Sequence, residues 1–454
     1  MKQAESHVFY APSWHHPYKI AERGEGVYLY DSDGKCYLDG IGGTHTITIG
    51  HGVPEIADAM AAQARKLCFT HKVQFTNEPQ EQLADVVAKM APNEMEHVVF
   101  VTGGSTANEI ALQIARYYFM EQGNTNKYKA IGRWHSYHGR TNAALSMYGS
   151  LFVRREDMAP YQLDFPHINP PHCYQCPFDL NYQNCELACA TALAEKIEQE
   201  GADTIAAFIA EPIIGGAGSA IVPPPGYYEK MREICNFYNI LFIAEEVITG
   251  FGRTGKNFGI EHWNTTPDII TTAKGLSSGY APIGAVIIHQ RIVDTFLNGN
   301  RAGIPTFLTY SGHPISCATA LAVQNYIAKH NLIEQCAIMG KYLKQELQKL
   351  AEREVLIGDV RGEGLLIGIE FVQDRKIHKP FSRSIKLTET IIKTTFEQGL
   401  VLRGRFGTGT GKDGDHILIS PAFIITESEC DELVAILEAS IKQVAHSLKL
   451  SHLP

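Results

Sequence analysis

The sequence predicts an α/β protein in which a mostly parallel sheet lies between helical layers, with a smaller α+β domain beside it. The length favours two domains, because 454 residues exceed the roughly 250–300 that one hydrophobic core accommodates. From about residue 57, short apolar runs alternate with helical stretches, as in a parallel sheet covered on both faces. Beyond about residue 321, long amphipathic helices and a second group of strands indicate the smaller domain.

The individual elements follow in chain order. Residues 26–40, GVYLYDSDGKCYLDG, predict a hairpin, because Asp33-Gly34 supplies a tight turn between two alternating strands. Apolar runs predict the central strands, at 97–101, 206–210, 241–244, 268–273 and 284–288. Further runs predict strands of the smaller domain, at 364–372, 399–404 and 416–424. We expect residues 57–325 to form the large domain, and residues 1–56 to join the small domain of residues 326–454.

Composition and charge narrow the function classes. The net charge of −9 is unlike the basic surface of a nucleic-acid-binding protein. No apolar run approaches the roughly 20 residues of a membrane span. The first 19 residues lack the basic, apolar and small-residue succession of a signal peptide, so a cytoplasmic protein with reduced thiols is expected. Six cysteines are scattered accordingly: Cys36, Cys68, Cys235, Cys317, Cys336 and Cys430.

A glycine turn follows the first central strand. Residues 97–109 read HVVFVTGGSTANE, a strand, a turn and the start of a helix. Gly103 and Gly104 let backbone amides approach an anion, and a helix N-terminus is a ready phosphate site. Ser105 or Thr106 is expected to cap the helix. The alternative is a capped helix start without a ligand.

Two other strands end in acids. AEP ends one at Glu211, and AEE ends another at Glu245-Glu246. Because neighbouring residues of a strand point to opposite faces, one acid of the pair should face a site at the carboxyl edge of the sheet and the other should not. The alternative is a solvated acidic strand end.

A fourth strand ends in a lysine. Lys274 follows the apolar run 268–273, and burial at such a position would lower its pKa and make the amine nucleophilic. Alone it could equally be a surface lysine that opens a helix. A phosphate cradle, a nucleophilic lysine and a carboxylate at neighbouring strand ends are together what pyridoxal phosphate requires.

These segments resemble the class III pyridoxal-phosphate aminotransferases of fold type I, in particular the ω-aminotransferases. The resemblance covers nearly the whole chain. It depends most on EEVITGFGRTG at 245–255, PDIITTAKGLSSGYAPIGAV at 267–286, WHSYHGRT at 134–141 and TYSGHP at 309–314. It implies a mostly parallel, seven-stranded type of sheet flanked by helices, a smaller α+β domain, and a homodimer with shared active sites.

The resemblance also assigns roles residue by residue. Lys274 would form the Schiff base, and Glu245 would face the ring nitrogen. The phosphate would be bound by Gly104 and Ser105 of one subunit and Thr309 of the other. Tyr137 would stack on the ring with His138 beside it, and Glu211 would line the site on the substrate side.

The chain departs from the family pattern at the acid pair. The family usually reads Asp-Glu, whereas this chain reads Glu245-Glu246. The charge is kept, but the reach is one methylene longer, which affects reaction rate and reaction type more than cofactor binding.

An arginine for the substrate carboxylate is expected near the C-terminus. Residues 399–417, GLVLRGRFGTGTGKDGDHI, resemble the segment that carries this arginine in ω-aminotransferases, and Arg403 matches its position. A planar guanidinium suits a carboxylate bidentately. Arg405 lies nearby as an alternative, and Arg403 could also be a surface residue.

A four-cysteine segment is the remaining motif. Cys173, Cys176, Cys185 and Cys189 follow the spacing C-x2-C-x8-C-x3-C. Four thiolates so close could bind zinc, but the spacing is not that of a standard zinc ribbon. Free thiols in a loop are the alternative, and no metal is included in the expected active site.

The leading interpretation is an aminotransferase working by a ping-pong mechanism. It would move an amino group from an amine or ω-amino acid donor to a 2-oxo acid, with pyruvate as the expected acceptor. A racemase, aminomutase or decarboxylase on the same fold is one alternative, and a non-catalytic binding protein is another. The sequence leaves the donor open among diamines, β- or ω-amino acids, taurine and aryl amines, and it does not separate pyruvate from 2-oxoglutarate as the acceptor.

Overall fold

The computed structural model describes residues 7–8, 18–149, 156–299, 303, 308–407 and 413–450. The strands of this part are β1 Ala21–Glu25, β2 Tyr28–Asp31, β3 Cys36–Asp39, β4 Met95–Val101, β5 Lys129–Arg133, β6 His167–Ile168, β7 Ile205–Ala210, β8 Leu241–Glu245, β9 Ile269–Thr272, β10 Gly284–His289, β11 Ile357–Glu363, β12 Leu366–Asp374, β13 Lys379–Pro380, β14 Leu400–Val401, β15 Arg403–Phe406 and β16 Asp415–Ile419. Its helices are α1 Gly42–His45, α2 Pro54–Lys66, α3 Glu78–Met90, α4 Gly104–Glu121, α5 Asn142–Ser146, α6 Ala188–Glu200, α7 Tyr227–Phe237, α8 Gln290–Leu297, α9 Pro314–Lys329, α10 Leu332–Arg353, α11 Leu387–Glu397 and α12 Glu427–Ser447.

The central sheet has seven strands in the order β4-β10-β9-β8-β7-β5-β6 within the described chain. Strands β7, β8 and β9 pair in parallel, and β5 is parallel to β7. Strand β10 runs antiparallel to both of its neighbours, β9 and β4. The prediction of a mostly parallel sheet is therefore confirmed, with one reversed strand that the sequence pattern does not reveal.

Both faces of this sheet are covered by helices. Along β8, Leu241 and Ile243 pack into the cluster that includes helix α4. The alternate residues Phe242 and Ala244 pack into the cluster that includes helix α7. This alternation places the next residue, Glu245, on the α4 face of the sheet.

Two smaller sheets bring the ends of the chain together. The first has the order β1-β2-β3-β14, and β3 pairs in parallel with β14 through Leu38 and Leu400. The N-terminal hairpin thus shares a sheet with a C-terminal strand. The second has the order β11-β12-β16-β15, with β13 beside β12. The domain limits at residues 56 and 325 stay a prediction.

The final helix shows how local sequence sets a boundary. Helix α12 begins at Glu427 because Thr426 and Glu429 form a capping box, in which each side chain accepts a backbone N–H of the other residue.

Among the described helices, none combines the length and the apolar character that a membrane crossing needs.

Candidate active site

A cavity of about 380 Å³ lies at the carboxyl ends of β4, β8 and β9. This size is within the range of small-molecule sites, roughly 300–1,000 Å³, and strand ends are where open α/β sheets bind ligands. Its lining comprises Thr46, Thr102, Gly103, Gly104, Ser105, Tyr137, His138, Gly139, Glu245, Val247, Ile248, Ala273, Lys274, Ser277, Gly279, Ala281, Pro282 and Ile283. Six of the residues predicted from the sequence therefore meet in one cavity.

The N-terminus of helix α4 opens into this cavity. The helix has 18 residues, and no side chain caps its first turn, so the expected cap by Ser105 or Thr106 is wrong. The Thr106 hydroxyl donates instead to the Gly103 carbonyl at 2.7 Å. The Ser105 hydroxyl accepts the backbone N–H of Arg140 at 3.2 Å, which ties the turn to the segment that carries Tyr137.

Glycine is required where these two segments meet. A Cβ on Gly139, whose φ is +130°, would lie 2.4 Å from Ser105 Oγ, so no side chain fits there. A Cβ on Gly104 would lie 2.9 Å from Val247, whereas one on Gly103 would meet nothing within 4 Å. Backbone amides and open space thus occur together beside α4, the arrangement that an anion needs.

The two acids at the end of β8 point in different directions. Glu245 Oε1 accepts the backbone N–H of Val247 at 2.9 Å, and its carboxylate lines the cavity. Glu246 accepts N–H groups of Gly259 at 2.9 Å and Ile260 at 2.8 Å and the hydroxyl of Thr249. Glu246 is therefore bound to a neighbouring turn, and Glu245 is the acid that faces the cavity.

Burial dominates the ionisation of both acids. It raises the pKa of Glu245 to about 7, against the opposing effect of the Val247 N–H and the Lys274 charge. It also raises the pKa of Glu246 to about 7, although three hydrogen bonds favour the charged form.

Lys274 begins the short turn that follows β9 and lies half-buried in the cavity wall. Burial lowers the pKa of its amine to about 8, the Glu245 charge opposes this shift, and the Arg403 charge adds to it. Its φ is +32°, in the left-handed region that costs a residue with a side chain about 1–3 kcal/mol. Such backbone strain is typical of functional positions.

The Tyr137 ring lines the cavity and packs edge-on against Tyr148, with 5.1 Å between ring centroids. His138 beside it is buried, and burial lowers its pKa to about 4. Its Nδ1 lies 3.5 Å from Glu245 Oε2, too far for a strong hydrogen bond. Neither ring nitrogen of His138 has a hydrogen-bond partner among the described residues. Both nitrogens are therefore available to a bound molecule at the cavity.

Glu211 lies behind the cavity instead of in its lining. Its carboxylate accepts the backbone N–H of Tyr137 at 3.0 Å and that of Gly215 at 2.9 Å. Burial and the nearby charge of Glu245 raise its pKa to about 7. Glu211 thus joins the Tyr137 segment to the loop after β7, and its assigned contact with the substrate stays a prediction.

The last two predicted residues lie outside the cavity of the single chain. Thr309 is exposed, as expected of a residue that would reach another subunit. Arg403 is half-buried on β15, and its positive charge contributes to the lowered pKa of Lys274. Neither assigned role is tested by this arrangement, and both stay predictions.

One buried polar residue was missed from the sequence. Asn108 on α4 donates to the His138 carbonyl at 2.6 Å and accepts from the Thr271 hydroxyl at 2.6 Å. It therefore connects the sheet, the helix and the Tyr137 segment. The sequence feature that could have revealed Asn108 is a polar residue at a position of the helix where apolar residues recur.

The four-cysteine segment forms a separate, small cavity that also includes His172. All four thiols are free. Within the described ranges, no three or more histidine, cysteine or acidic side chains are grouped so that they could hold a metal ion. The expectation of an active site without metal stays a prediction.

The residues of the main cavity fit pyridoxal phosphate. The uncapped amides of α4 and the open space at Gly103 suit a phosphate. The amine of Lys274 in the cavity wall suits an aldehyde, and the carboxylate of Glu245 suits a protonated ring nitrogen. The free nitrogens of His138 border the space between these groups.

Comparisons with known proteins agree with this chemistry. The profile of the family "Aminotransferase class-III" matches residues 9–441. The uncharacterized aminotransferase YodT of Bacillus subtilis is 41% identical over 436 residues, which are 95% of this chain and 97% of that protein. A putrescine–pyruvate aminotransferase of Pseudomonas aeruginosa is 36% identical over 434 residues, 94% of this chain and 91% of its own. The crystal structure of an (S)-enantioselective ω-transaminase from Thermomicrobium roseum has a TM-score of 0.88 at 35% identity, with 97% of this chain and 96% of the other covered.

Profile, relatives and structural likeness all extend over nearly the full chain, and the cavity contains the groups that the cofactor requires. The chain therefore belongs to the class III aminotransferases and is a pyridoxal-phosphate-dependent aminotransferase of fold type I.

Proposed function

We propose that this enzyme transfers an amino group from an amine or ω-amino acid donor to a 2-oxo acid, with pyruvate as the acceptor, by a ping-pong mechanism. The observation that carries the proposal is the single cavity in which Lys274, Glu245 and the amides of α4 meet. The pyruvate acceptor is supported by the resemblance to ω-aminotransferases and by the name of the relative from Pseudomonas aeruginosa.

Bound pyridoxal phosphate supplies an aldehyde that takes up nitrogen and a ring that accepts electron density. Lys274 would hold the aldehyde end of the cofactor, and its Nζ would move a proton to and from the donor's carbon. A pKa lowered to about 8 makes the neutral, basic form of this amine more abundant near neutral pH than it is for an ordinary lysine.

Glu245 holds a proton at the ring nitrogen through a charge-assisted hydrogen bond. Tyr137 would position the ring by stacking, and Glu211 fixes Tyr137 through the backbone N–H that it accepts. Gly104 and Ser105 bind the phosphate through backbone amides at the helix start. Thr309 completes the phosphate site of the partner subunit in a homodimer, and Arg403 binds the carboxylate of the 2-oxo acid.

A cytoplasmic location stays part of the proposal. It is supported by ten cysteines that are all free thiols, as expected in a reducing compartment.

A half-reaction tests the proposed function. The holoenzyme mixed with a donor alone should lose the absorbance of the aldehyde form of its cofactor, and pyruvate added afterwards should restore it. A racemase or decarboxylase would leave the aldehyde form largely intact, and a non-catalytic protein would show no change. Borohydride should attach the cofactor to the peptide that contains Lys274, and attachment to any other lysine would contradict the assignment.

A further inference from the structure

Four thiols surround one small cavity at the N-terminal end of helix α6. The cavity is lined by Cys173, Cys176, Cys185 and Cys189, and its volume of about 20 Å³ is enough for roughly one water molecule. Burial raises the pKa of Cys189 to about 12, and the other three thiols raise it further. The thiols therefore lie within electrostatic reach of one another, around a space that is too small for a substrate.

Two of these cysteines lie at the ends of one tight turn. The turn is centred on Tyr174 and Gln175, so its end residues are Cys173 and Cys176. The first and fourth Cα atoms of a β-turn lie within about 7 Å of each other, and a disulfide needs a Cα separation of about 4.4–6.8 Å. Cys173 is exposed and Cys176 is half-buried, so a dissolved oxidant can reach this pair.

The other two thiols are less available for reaction. Cys185 is half-buried, and its Sγ donates to the Tyr182 carbonyl at 3.6 Å. Cys189 is buried in the first turn of α6, and a pKa of about 12 keeps it protonated. Because the thiolate is the reactive form of cysteine, Cys173 and Cys176 are the pair that the structure favours for oxidation.

The centre of this turn contacts the C-terminal part of the chain. The ring of Tyr174 stacks on that of His378 with 4.1 Å between centroids, and the Tyr174 carbonyl accepts the Nδ1–H of His378 at 2.8 Å. Gln175 donates to Glu370 on β12 at 2.6 Å. The residues between the two cysteines therefore connect the cysteine segment to β12 and to the loop that follows β12.

The acid that Gln175 binds is the centre of a buried network. Glu370 is fully buried and pairs with Arg361 at 2.6 Å. Arg361 also donates to the carbonyls of Ser219 and Gly218, at 2.9 Å each, in the loop after β7. A buried carboxylate is stable only while its hydrogen bonds are kept, so a movement of Gln175 would weaken this network.

We propose that Cys173 and Cys176 are a modification site, a dithiol that a small-molecule disulfide oxidises reversibly to an internal disulfide, and that this oxidation loosens the contact of Tyr174 and Gln175 with β12. The disulfide imposes its own Cβ separation, about 3.5–4.5 Å, on the turn whose central residues make this contact. Transient, redox-sensing disulfides are the kind found in reducing compartments.

Glutathione disulfide is an oxidant that balances the reaction. The thiolate of Cys173, the more exposed of the two, attacks one sulfur of glutathione disulfide and releases one glutathione thiolate. The thiolate of Cys176 then attacks the Cys173 sulfur and releases the second glutathione. The protein dithiol loses a pair of electrons and a pair of protons, and the glutathione disulfide becomes a pair of thiols.

Peptide mapping of the wild-type holoenzyme tests the modification. The reduced enzyme is incubated with glutathione disulfide, its remaining thiols are alkylated, and its chymotryptic peptides are identified by mass spectrometry without reduction. Cleavage after Phe178 separates the turn from Cys185 and Cys189. We expect Cys173 to be linked to Cys176, and excess reduced glutathione to remove the link. This measurement needs no variant.

Hydrogen exchange tests the contact with β12. The backbone amides of β12 should exchange about tenfold faster in the oxidised enzyme, the effect of losing one hydrogen bond to a charged group. Gln175→Ala should show the same increase in the reduced state, and oxidation should add little to it.

Serine variants supply the controls. Cys173→Ser and Cys176→Ser should each abolish the internal disulfide and the change in exchange. Cys36→Ser and Cys68→Ser are the matched controls, because they remove exposed thiols outside the cluster, and they should leave both measurements unchanged.

A disulfide that includes Cys185 or Cys189, or a glutathione adduct that never closes, would overturn the assignment of the pair. Stoichiometric zinc in the purified enzyme that is lost in Cys173→Ser would overturn it as well, in favour of a metal site. Unchanged exchange of β12 in enzyme that carries the disulfide would overturn the loosening. These measurements do not depend on amino transfer, so their outcome is separate from that of the proposed function.

Discussion

The most informative perturbation of the cavity is Glu245→Gln. Glutamine keeps the size of the side chain, and its amide oxygen can still accept the Val247 N–H that Glu245 accepts at 2.9 Å. The charge that would hold a proton on the ring nitrogen is removed. Cofactor should therefore remain bound through the phosphate and lysine contacts, while transfer slows.

The expected magnitude follows from the burial of this carboxylate. A hydrogen bond to a charged group contributes about 1.5–3 kcal/mol. Because Glu245 is only 3% exposed, we expect the loss of its charge to raise the barrier by an amount near the upper end of this range. Each 1.36 kcal/mol of barrier corresponds to a factor of ten in rate. Transfer by Glu245→Gln should therefore fall by at least about a hundredfold.

Glu246→Gln is the matched control. Its carboxylate accepts from Gly259, Ile260 and Thr249, away from the cavity, so this variant should cost stability, about 1–3 kcal/mol, and little transfer activity. Glu245→Asp should stay within about tenfold of the wild type, because the charge survives and only one methylene of reach is lost.

The assay is the single-turnover change of cofactor absorbance on mixing with a donor, together with cofactor content and thermal unfolding of each variant. If Glu246→Gln abolished transfer while Glu245→Gln preserved it, the assignment of the two acids would be reversed. If both variants transferred normally, no role at the ring nitrogen would remain for either.

Three further predictions concern the subunit contact, the lysine and the acceptor. Mixed dimers of Lys274→Ala and Thr309→Ala subunits should regain activity, because one of their two sites keeps both residues; hybrids no more active than their parents would contradict shared sites. The rate of cofactor uptake by the apoenzyme should rise with pH and level off above about pH 8, since the neutral amine of Lys274 reacts and its pKa is lowered to about 8. A rate that keeps rising towards pH 10, near the ordinary lysine pKa, would show that burial does not tune this amine. Arg403→Ala should raise the KM for pyruvate by about one to two orders of magnitude, the loss of a charged hydrogen bond, and an unchanged KM would remove the assigned contact.

Much of the fold and the cavity could be predicted from local sequence. Apolar runs indicated the strands β4, β7, β8, β9 and β10, because a strand buried on both faces must be apolar along its length. The alternation of side chains also indicated that one acid of the Glu245-Glu246 pair faces the site. The glycines of the α4 turn showed where backbone amides lie open. Each of these features depends on residues that are close together in the chain.

Features that depend on contacts between distant segments needed the tertiary structure. The reversed direction of β10 depends on its pairing with β4 and β9, which leaves no trace in an apolar run. The carboxylate of Glu211 accepts the backbone N–H of Tyr137, 74 positions away in the chain. A buried acid needs hydrogen-bond donors, and here the donor comes from a segment that only the folded structure brings near. The position of Arg403 and Arg405 opposite Leu418 and His416 likewise depends on the pairing of β15 with β16. The sequence by itself determined which chemical groups this protein has at its strand ends, and the tertiary structure decided which of them face the same space, because the direction of a side chain is set by the segments that pack against it.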